Sequence, residues 1–312
     1  MKTRKYAPGS EWLYLKIYTG YKTADKLLLN TIYSLILDLK RKQYIDQFFF
    51  IRYADPHFHI RVRLHITEAK YLGEIMGLFN QKLSGNLKNN VIWKIQIDTY
   101  NREIERYNIH LIDQAESFFH IDSDYIIKIL KTINARFTTP EDVKWIIGLK
   151  LIEDNLDLFC KEESEKLKII TMMSDGFKKE FGFDMYNSKQ FNEKYRENKT
   201  KIDAVLSGVD LIDEQNYQSL YHICKNRYKE LLPIVSLMQE IQSKKKLNTY
   251  IVTDLIHMTL NRLIPAENRL HELILYDFMK RYYAGLIARK QNHRDAVKAV
   301  KEELSKPEVV SI

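Results

Sequence analysis

The sequence predicts an α+β protein: a split βαβ sheet in the order β-α-β-β-α-β, followed by a large, mostly α-helical region. Three observations carry this. Before Asn101, short segments alternate apolar and polar residues with the period of a strand. Between them, apolar residues recur at helical spacing. Beyond Asn101 nearly every segment shows that helical spacing, with no repeat period of a solenoid.

Residues 1–10 read as a loose tail ending in Pro8-Gly9-Ser10. Glu11–Tyr18 is the first strand, with Leu13, Leu15 and Ile17 on one face and Trp12, Tyr14, Lys16 and Tyr18 on the other. After Gly20, Thr23–Lys42 carries apolar residues at 27, 28, 32, 35, 36 and 39, which predicts a helix. Phe48–Ile66, FFFIRYADPHFHIRVRLHI, reads as two strands around a turn at Asp55-Pro56. From His57 the alternation is unbroken. His57, His59, Arg61, Arg63 and His65 point one way, and Phe58, Ile60, Val62, Leu64 and Ile66 the other. Thr67 is placed to cap a second helix, with Glu68 in its first turn, running to about Leu83. Ser84–Asn90 is turn-rich, and Val91–Asp98 alternates again as the last strand. Both helices are expected on one sheet face with the apolar strand residues. The other face would carry Tyr14, Lys16, Phe50, Arg52, Arg61, Arg63, Lys94 and Gln96.

The helical region divides into segments around 110–134, 139–161, 163–181, 187–206, 212–232, 234–245, 249–263 and 266–290. Breaks are expected at Pro140, Gly182, Gly208, Pro233 and Pro265. The charged runs Lys161–Lys168 and Lys244–Lys246 read as solvated helix faces, and the tail after Lys298 as frayed. A sheet-containing part, 1–108, and a helical part, 109–312, are expected to pack as one domain.

Composition narrows the function classes. The 312 residues suffice for one large or two modest domains, and 45% hydrophobic with 29% charged residues is ordinary for a soluble globular chain. Only 10 residues are Gly, and neither GxGxxG nor GxxxxGK[ST] occurs, which argues against a nucleotide-cradling loop. Cys160 and Cys224 stand far apart without a CxxC, so a thiolate zinc site is excluded and a reducing cytosol fits. The N-terminal MKTRKYAPGSEW is basic but lacks an apolar export core, and no run approaches a membrane span. A cytoplasmic protein is expected, with no cofactor, metal, membrane or direct DNA partner. The net charge of +8 is compatible with an anionic ligand.

Three patches could carry chemistry. Five chargeable groups on one strand face repel each other, so water or an anionic ligand must compensate. Arg61 and Arg63, at i and i+2, form a fork pair suited to carboxylates or phosphates; the alternative is a solvated sheet face. A metal at His57 and His59 is opposed by the adjacent arginines. The second patch, Tyr100–Tyr107 (YNREIERY), sets Glu103 and Arg106 three residues apart just after the last strand. The third is the helix Asn248–Leu263. Opposite its apolar face runs a polar stripe, Tyr250, Asp254, His257 and Asn261, in which Asp254 could orient His257 as a general acid/base. Read without any relative, these features give an anion-binding sheet face and a candidate acid/base histidine, and no reaction. A sheet displaying Tyr14, Phe48, Phe50 and Arg52 would also suit RNA base stacking, although no RNP-type octapeptide is present. A non-catalytic peptide-binding subunit is a further option.

At these same patches the sequence resembles a family. FFFIRYADPHFHIRVRLHI resembles the FIRY-x-DP-x-x-HIR-x-R signature of the C-terminal, glutamate-eliminating domain of class I lanthipeptide dehydratases, a domain that also occurs free-standing in thiopeptide pathways. YNREIERYN resembles the family's Y-x-x-E-x-ERYG, and IHMTLNRL its IHM-x-x-NRL. The resemblance runs from about Trp12 to Ala288. It implies an elimination lyase that expels glutamate from glutamylated Ser or Thr of a leader-bearing precursor peptide, leaving dehydroalanine or dehydrobutyrine. It places Arg61, Arg63 and Arg106 on the glutamyl group, with Glu103 and Arg52 among the substrate-binding residues. His257 becomes the proton-transfer residue, with Arg61 and Arg106 also catalytic. The large glutamylating region is absent from the sequence, so a stand-alone form is implied, served by a separate tRNA-dependent glutamylating protein. A homodimer is in keeping with related proteins. Asn108 stands where the family often has Gly. The same fold also serves as a pyridine synthase joining two dehydroalanines by a formal [4+2] cycloaddition. Such relatives tend to lose the charged set that this chain keeps, which favours elimination.

Overall fold

Each alternating segment forms a strand, and strand register decides which residues share a face. The structure, a computed structural model, describes residues 2–182, 185–207, 215–247 and 250–304. Strands β1 (Lys5–Tyr6), β2 (Trp12–Thr19), β3 (Ile45–Ala54), β4 (Phe58–Ile66), β5 (Ile92–Asp98) and β6 (Tyr100–Asn101) form two antiparallel sheets. The larger has the order β3-β4-β2-β5, the split βαβ topology. Helices α1 (Tyr21–Leu27), α2 (Tyr33–Arg41), α3 (Leu72–Lys88), α4 (Ile104–Tyr107), α5 (Ile112–Arg136), α6 (Pro140–Phe159), α7 (Glu163–Glu180), α8 (Met185–Leu206), α9 (Gln215–Lys245), α10 (Ile251–Leu263) and α11 (Asn268–Leu304) account for most of the rest. Two compact units are distinguished, Met1–Phe159 with Ala204–Glu272, and Cys160–Asp203 with Leu273–Ile312. The sheets and all candidate site residues belong to the first. In the second, buried Asp277 of α11 binds Lys178 of α7 and Arg281.

Several local expectations are corrected. The N-terminal tail is not loose: β1 pairs with β6, and Tyr6 stacks on Tyr100 with centroids 6.2 Å apart. Thr67 caps no helix; its hydroxyl donates to the Gln43 carbonyl at 2.7 Å, and α3 is entered through a 3-10 turn at Ala69–Tyr71. Helix α3 continues through the turn-rich stretch to Lys88, and the chain reverses only at Asn90, whose φ is +55°. Pro233 lies inside α9 and does not end it. Buried Leu231, Val235 and Met238 keep one apolar stripe running past the proline, and that packing outweighs the single lost hydrogen bond. The frayed tail expected after Lys298 is helical as far as Leu304, within α11. The expected break at Gly208 and the start of the 212–232 segment lie outside the described residues, as do Asn248, Thr249 and the tail after residue 304.

The register also corrects the composition of the cationic face. Residues 55–57 form the β3–β4 turn, so odd residues pair with odd: Tyr53 with His59, Ile51 with Arg61, Phe49 with Arg63. Directly opposed residues share a face. On β2, Tyr14 pairs with Arg63 and Lys16 with Arg61, and the β5 partners of these two are Asp98 and Gln96. Phe50 and Arg52 therefore belong to the opposite face. Phe48 and Phe50 are fully buried there, which removes the aromatic platform that base stacking would need.

The β3 edge is closed by helix side chains. The Phe50 amide donates to Ser123 Oγ at 3.2 Å, and Asn261 takes both the Arg52 amide and carbonyl at 2.9 Å. His120 Nδ1 lies 3.0–3.2 Å from the polar backbone atoms of Phe48, and Arg262 Nε donates to the Phe50 carbonyl at 2.9 Å. These groups, from α5 and α10, stand where a fifth strand would and cover the middle of that edge, at Phe48, Phe50 and Arg52. Behind them, fully buried Asp122 accepts from Arg227 of α9 and Arg262 of α10 at 2.7 and 2.8 Å. One carboxylate thereby ties β3, α5, α9 and α10 together.

Candidate active site

Of the five potential cations at 57–65, Arg61, Arg63 and His59 pack against aromatic rings. His65 meets Asp46 at 2.7 Å, and exposed His57 lies in the turn outside the strand. Lys16, opposite Arg61, binds Asp98 and holds that carboxyl below its usual range. Arg61 lies over Tyr53, its guanidinium carbon 3.4 Å from the ring centroid. Arg63 is 6% exposed inside a box of three rings, 4.6 Å from Tyr14, 5.1 Å from Phe49 and 4.8 Å from Tyr100. Its Nε is buried without a hydrogen-bond partner, and among the described residues no carboxylate pairs with it. Tyr100 is fixed by Glu116, whose carboxylate accepts its hydroxyl at 2.7 Å and is itself held by Arg102. Burial keeps that phenol far above its ordinary range, so the ring stays neutral against the guanidinium.

Arg63 opens onto a narrow cavity of about 20 Å³, room for roughly one water, lined also by Glu103, Tyr107 and Met258. Glu103 caps the one-turn helix α4, and three residues on, Arg106 Nη1 donates back to it at 3.1 Å. Arg106 Nε donates to Asp254 Oδ1 at 2.7 Å. Asp254 is thus the partner of Arg106 and not the orienter of His257. Burial raises its pKa, and the Arg106 guanidinium opposes that rise. His257 is oriented from the other side: its Nδ1 lies 3.0 and 2.9 Å from the two oxygens of Glu272, whose side chain is fully buried. A carboxylate on Nδ1 fixes the proton there and leaves Nε2 as the working nitrogen.

The structure thus brings Arg63, Glu103 and Met258 to one cavity and links Glu103 through Arg106 to Asp254, one turn before His257. Arg61 stands two residues along β4 from Arg63, and no hydrogen bond or ion pair joins it to α10. Arg52 is remote from this group. It lies on the opposite sheet face, bonding Asp25 and the Arg262 carbonyl, and with Lys144 it holds Asp25 below the usual carboxylate range despite burial. Among the described residues no group of three or more His, Cys, Asp or Glu is arranged to hold a metal, and no helix is long and apolar enough to cross a membrane.

The three sequence signatures acquire physical meaning here. In IHMTLNRL, Met258 lines the cavity and His257 binds Glu272, while Asn261 and Arg262 clamp the β3 edge. Asn108, after YNREIERY, has φ +66°, a conformation that suits glycine. The site thus combines a cationic split βαβ sheet face, a Glu103–Arg106–Asp254 chain of ion pairs and a carboxylate-held histidine. Residues 12–283 match the family model described as lantibiotic biosynthesis dehydratase C-term, and the chain belongs to that family. Similar proteins are the nisin biosynthesis protein NisB of Lactococcus lactis subsp. lactis, 25% identical over 90% of this chain and 26% of NisB, and the epidermin biosynthesis protein EpiB of Staphylococcus epidermidis, 22% identical over 88% and 27%. The chain spans about a quarter of the length of these curated relatives. Among solved structures, the tRNA-dependent lantibiotic dehydratase MibB from Microbispora sp. 107891 shares the fold with a TM-score of 0.72 at 18% identity, over 92% of this chain and 29% of that one. The pyridine synthase TbtD from thiomuracin biosynthesis shares it with a TM-score of 0.64 at 12% identity, over 88% and 99%.

Proposed function

We propose that this chain catalyses the elimination of glutamate from glutamylated Ser or Thr of a leader-bearing precursor peptide, giving dehydroalanine or dehydrobutyrine. The observation that carries the reading is Arg63. A buried guanidinium enclosed by three rings, with no carboxylate partner and open to a cavity, is a costly arrangement that an anionic ligand would relieve. The glutamyl ester brings a side-chain carboxylate, and its cleavage releases a second. Arg61, whose terminal nitrogens have no hydrogen-bond partner among the described residues, and Arg106, turned by Glu103 and Asp254, supply two further cations.

In the elimination the Cα–H bond breaks, its electron pair forms the Cα=Cβ bond, and the Cβ–O bond breaks to release glutamate. Cations placed beforehand stabilise the enolate charge and the departing carboxylate. His257, held at Nδ1 by Glu272, presents Nε2 for proton transfer, a contribution of about 10²–10⁴ in rate. The ester is supplied by a separate tRNA-dependent glutamylating protein, and the protein acts in the cytoplasm. Retention of Arg61, Arg63, Glu103, Arg106 and His257 favours elimination over the cycloaddition chemistry of a synthase like TbtD.

The proposal is tested by Arg61→Ala and His257→Ala. Both variants should fold and leave the peptide at the glutamylated stage, read by mass spectrometry. A bis-dehydroalanine peptide cyclised with loss of its leader would instead establish the synthase reading.

A further inference from the structure

His59 is the least exposed of the four β4 residues on the cationic face and has no role in the chemistry above. The residue is 1% exposed, its ring lies 4.7 Å from Tyr18 and 5.7 Å from Tyr53, and both nitrogens are bonded. Nδ1 stands 2.8 Å from the His57 carbonyl, and Arg61 Nε donates to Nε2 at 3.1 Å. A carbonyl only accepts, so Nδ1 carries the proton. A guanidinium only donates, so Nε2 offers its lone pair. The contacts therefore admit one form of the ring, the neutral Nδ1–H tautomer.

Arg61 is fixed by two of these groups: Nε by His59 and the guanidinium by the Tyr53 ring at 3.4 Å. Its terminal nitrogens have no hydrogen-bond partner among the described residues, so the contacts that fix the guanidinium leave both fork nitrogens as available donors. We infer that His59 is a positioning residue that holds the Arg61 fork in its ligand-binding orientation, and that protonation of His59 releases it. Protonation would remove the lone pair that Arg61 Nε requires and set two cations in contact.

Burial lowers the pKa of His59. The groups facing it reinforce this: Arg61 on its own strand and Lys16 on β2 disfavour the charged form, while the His57 carbonyl and Asp55 oppose them. Tyr18 and Tyr53 flank the ring, and Lys94 of β5 lies over Tyr18 at 5.1 Å. With a lowered pKa the neutral tautomer is the form present at neutral pH, and its hold on Arg61 is lost only as pH falls through that depressed value.

The inference rests on the elimination reading for its functional part, and the test separates the two. Nitrogen-15 NMR of histidine-labelled protein should show one histidine as an Nδ1–H tautomer that protonates below the ordinary histidine range, a signal absent from His59→Phe. That measurement needs no substrate. In turnover of a glutamylated peptide, His59→Phe keeps the ring stack and should raise KM about tenfold or more, as loss of a hydrogen bond to a charged group does, with a smaller effect on kcat. His59→Gln restores an acceptor near the Nε2 position without a titrating group. It should recover most of that loss and abolish the acid-side rise in KM. A folded His59→Phe with unchanged KM, or an Nε2–H tautomer in the wild type, overturns the inference. Correct NMR behaviour in a protein that never eliminates glutamate overturns only the functional reading.

Discussion

Arg63→Met separates stability from function. The guanidinium occupies a buried aromatic box without a carboxylate, so an apolar side chain of similar volume should be neutral or stabilising, raising Tm by a few degrees for about 1 kcal/mol. The same variant should bind a glutamylated peptide about 100-fold more weakly, in keeping with a lost charge-assisted pair. Calorimetry and turnover together check this; a large fall in Tm would mean that Arg63 is a structural cation. Glu272→Gln should lower kcat about tenfold or more with KM little changed, because the amide lets His257 adopt the wrong tautomer. Of this site the sequence exposes Arg61, Arg63, Glu103, Arg106 and His257, all within motifs. It hides their partners. Glu272 lies beyond Pro265 in a different helix, and Asp254, one turn from His257, is captured by Arg106 from far along the chain. Spacing reports which residues share an element, not which carboxylate wins a cation.

At the scale of elements, the alternating segments and the split βαβ order are legible because period 2 and period 3.6 are written into the chain. The register is not. A turn one residue longer or shorter would exchange the two faces of β3, and sequence alone placed Phe50 and Arg52 on the wrong one. The closure of the β3 edge by Ser123, Asn261 and Arg262 was equally hidden, since it is made by side chains distant in sequence. Asn108 gives an element-scale prediction. With φ +66° and ψ 143° it occupies backbone space that glycine prefers, and its side chain accepts from the His110 amide at 2.9 Å. Asn108→Ala should cost about 1–2 kcal/mol, whereas Asn108→Gly should be close to neutral. Denaturant melts of the pair distinguish backbone strain from loss of the side-chain bond.

Across the first unit, Asp122 holds sheet and helices in one arrangement. It answers two buried guanidinium groups, Arg227 and Arg262, and Asn155 and Thr259 add contacts to Arg227 at 2.9 and 3.3 Å. Removing the carboxylate leaves two buried charges unmatched, so Asp122→Ala should destabilise by about 3–5 kcal/mol and displace the β3 edge. Circular-dichroism melts would check it. Because Arg262 also grips the Phe50 carbonyl, the network that stabilises the unit also fixes β3 against β4 and so the box around Arg63. This box and the His257–Glu272 pair are proposed to serve elimination of glutamate. The most direct measurement of that role is mass spectrometry of a chemically glutamylated Ser/Thr peptide after incubation with the folded wild-type protein. The expected result is release of free glutamate and a dehydroamino acid in the peptide. An intact ester, bound by a correctly folded protein, would contradict it.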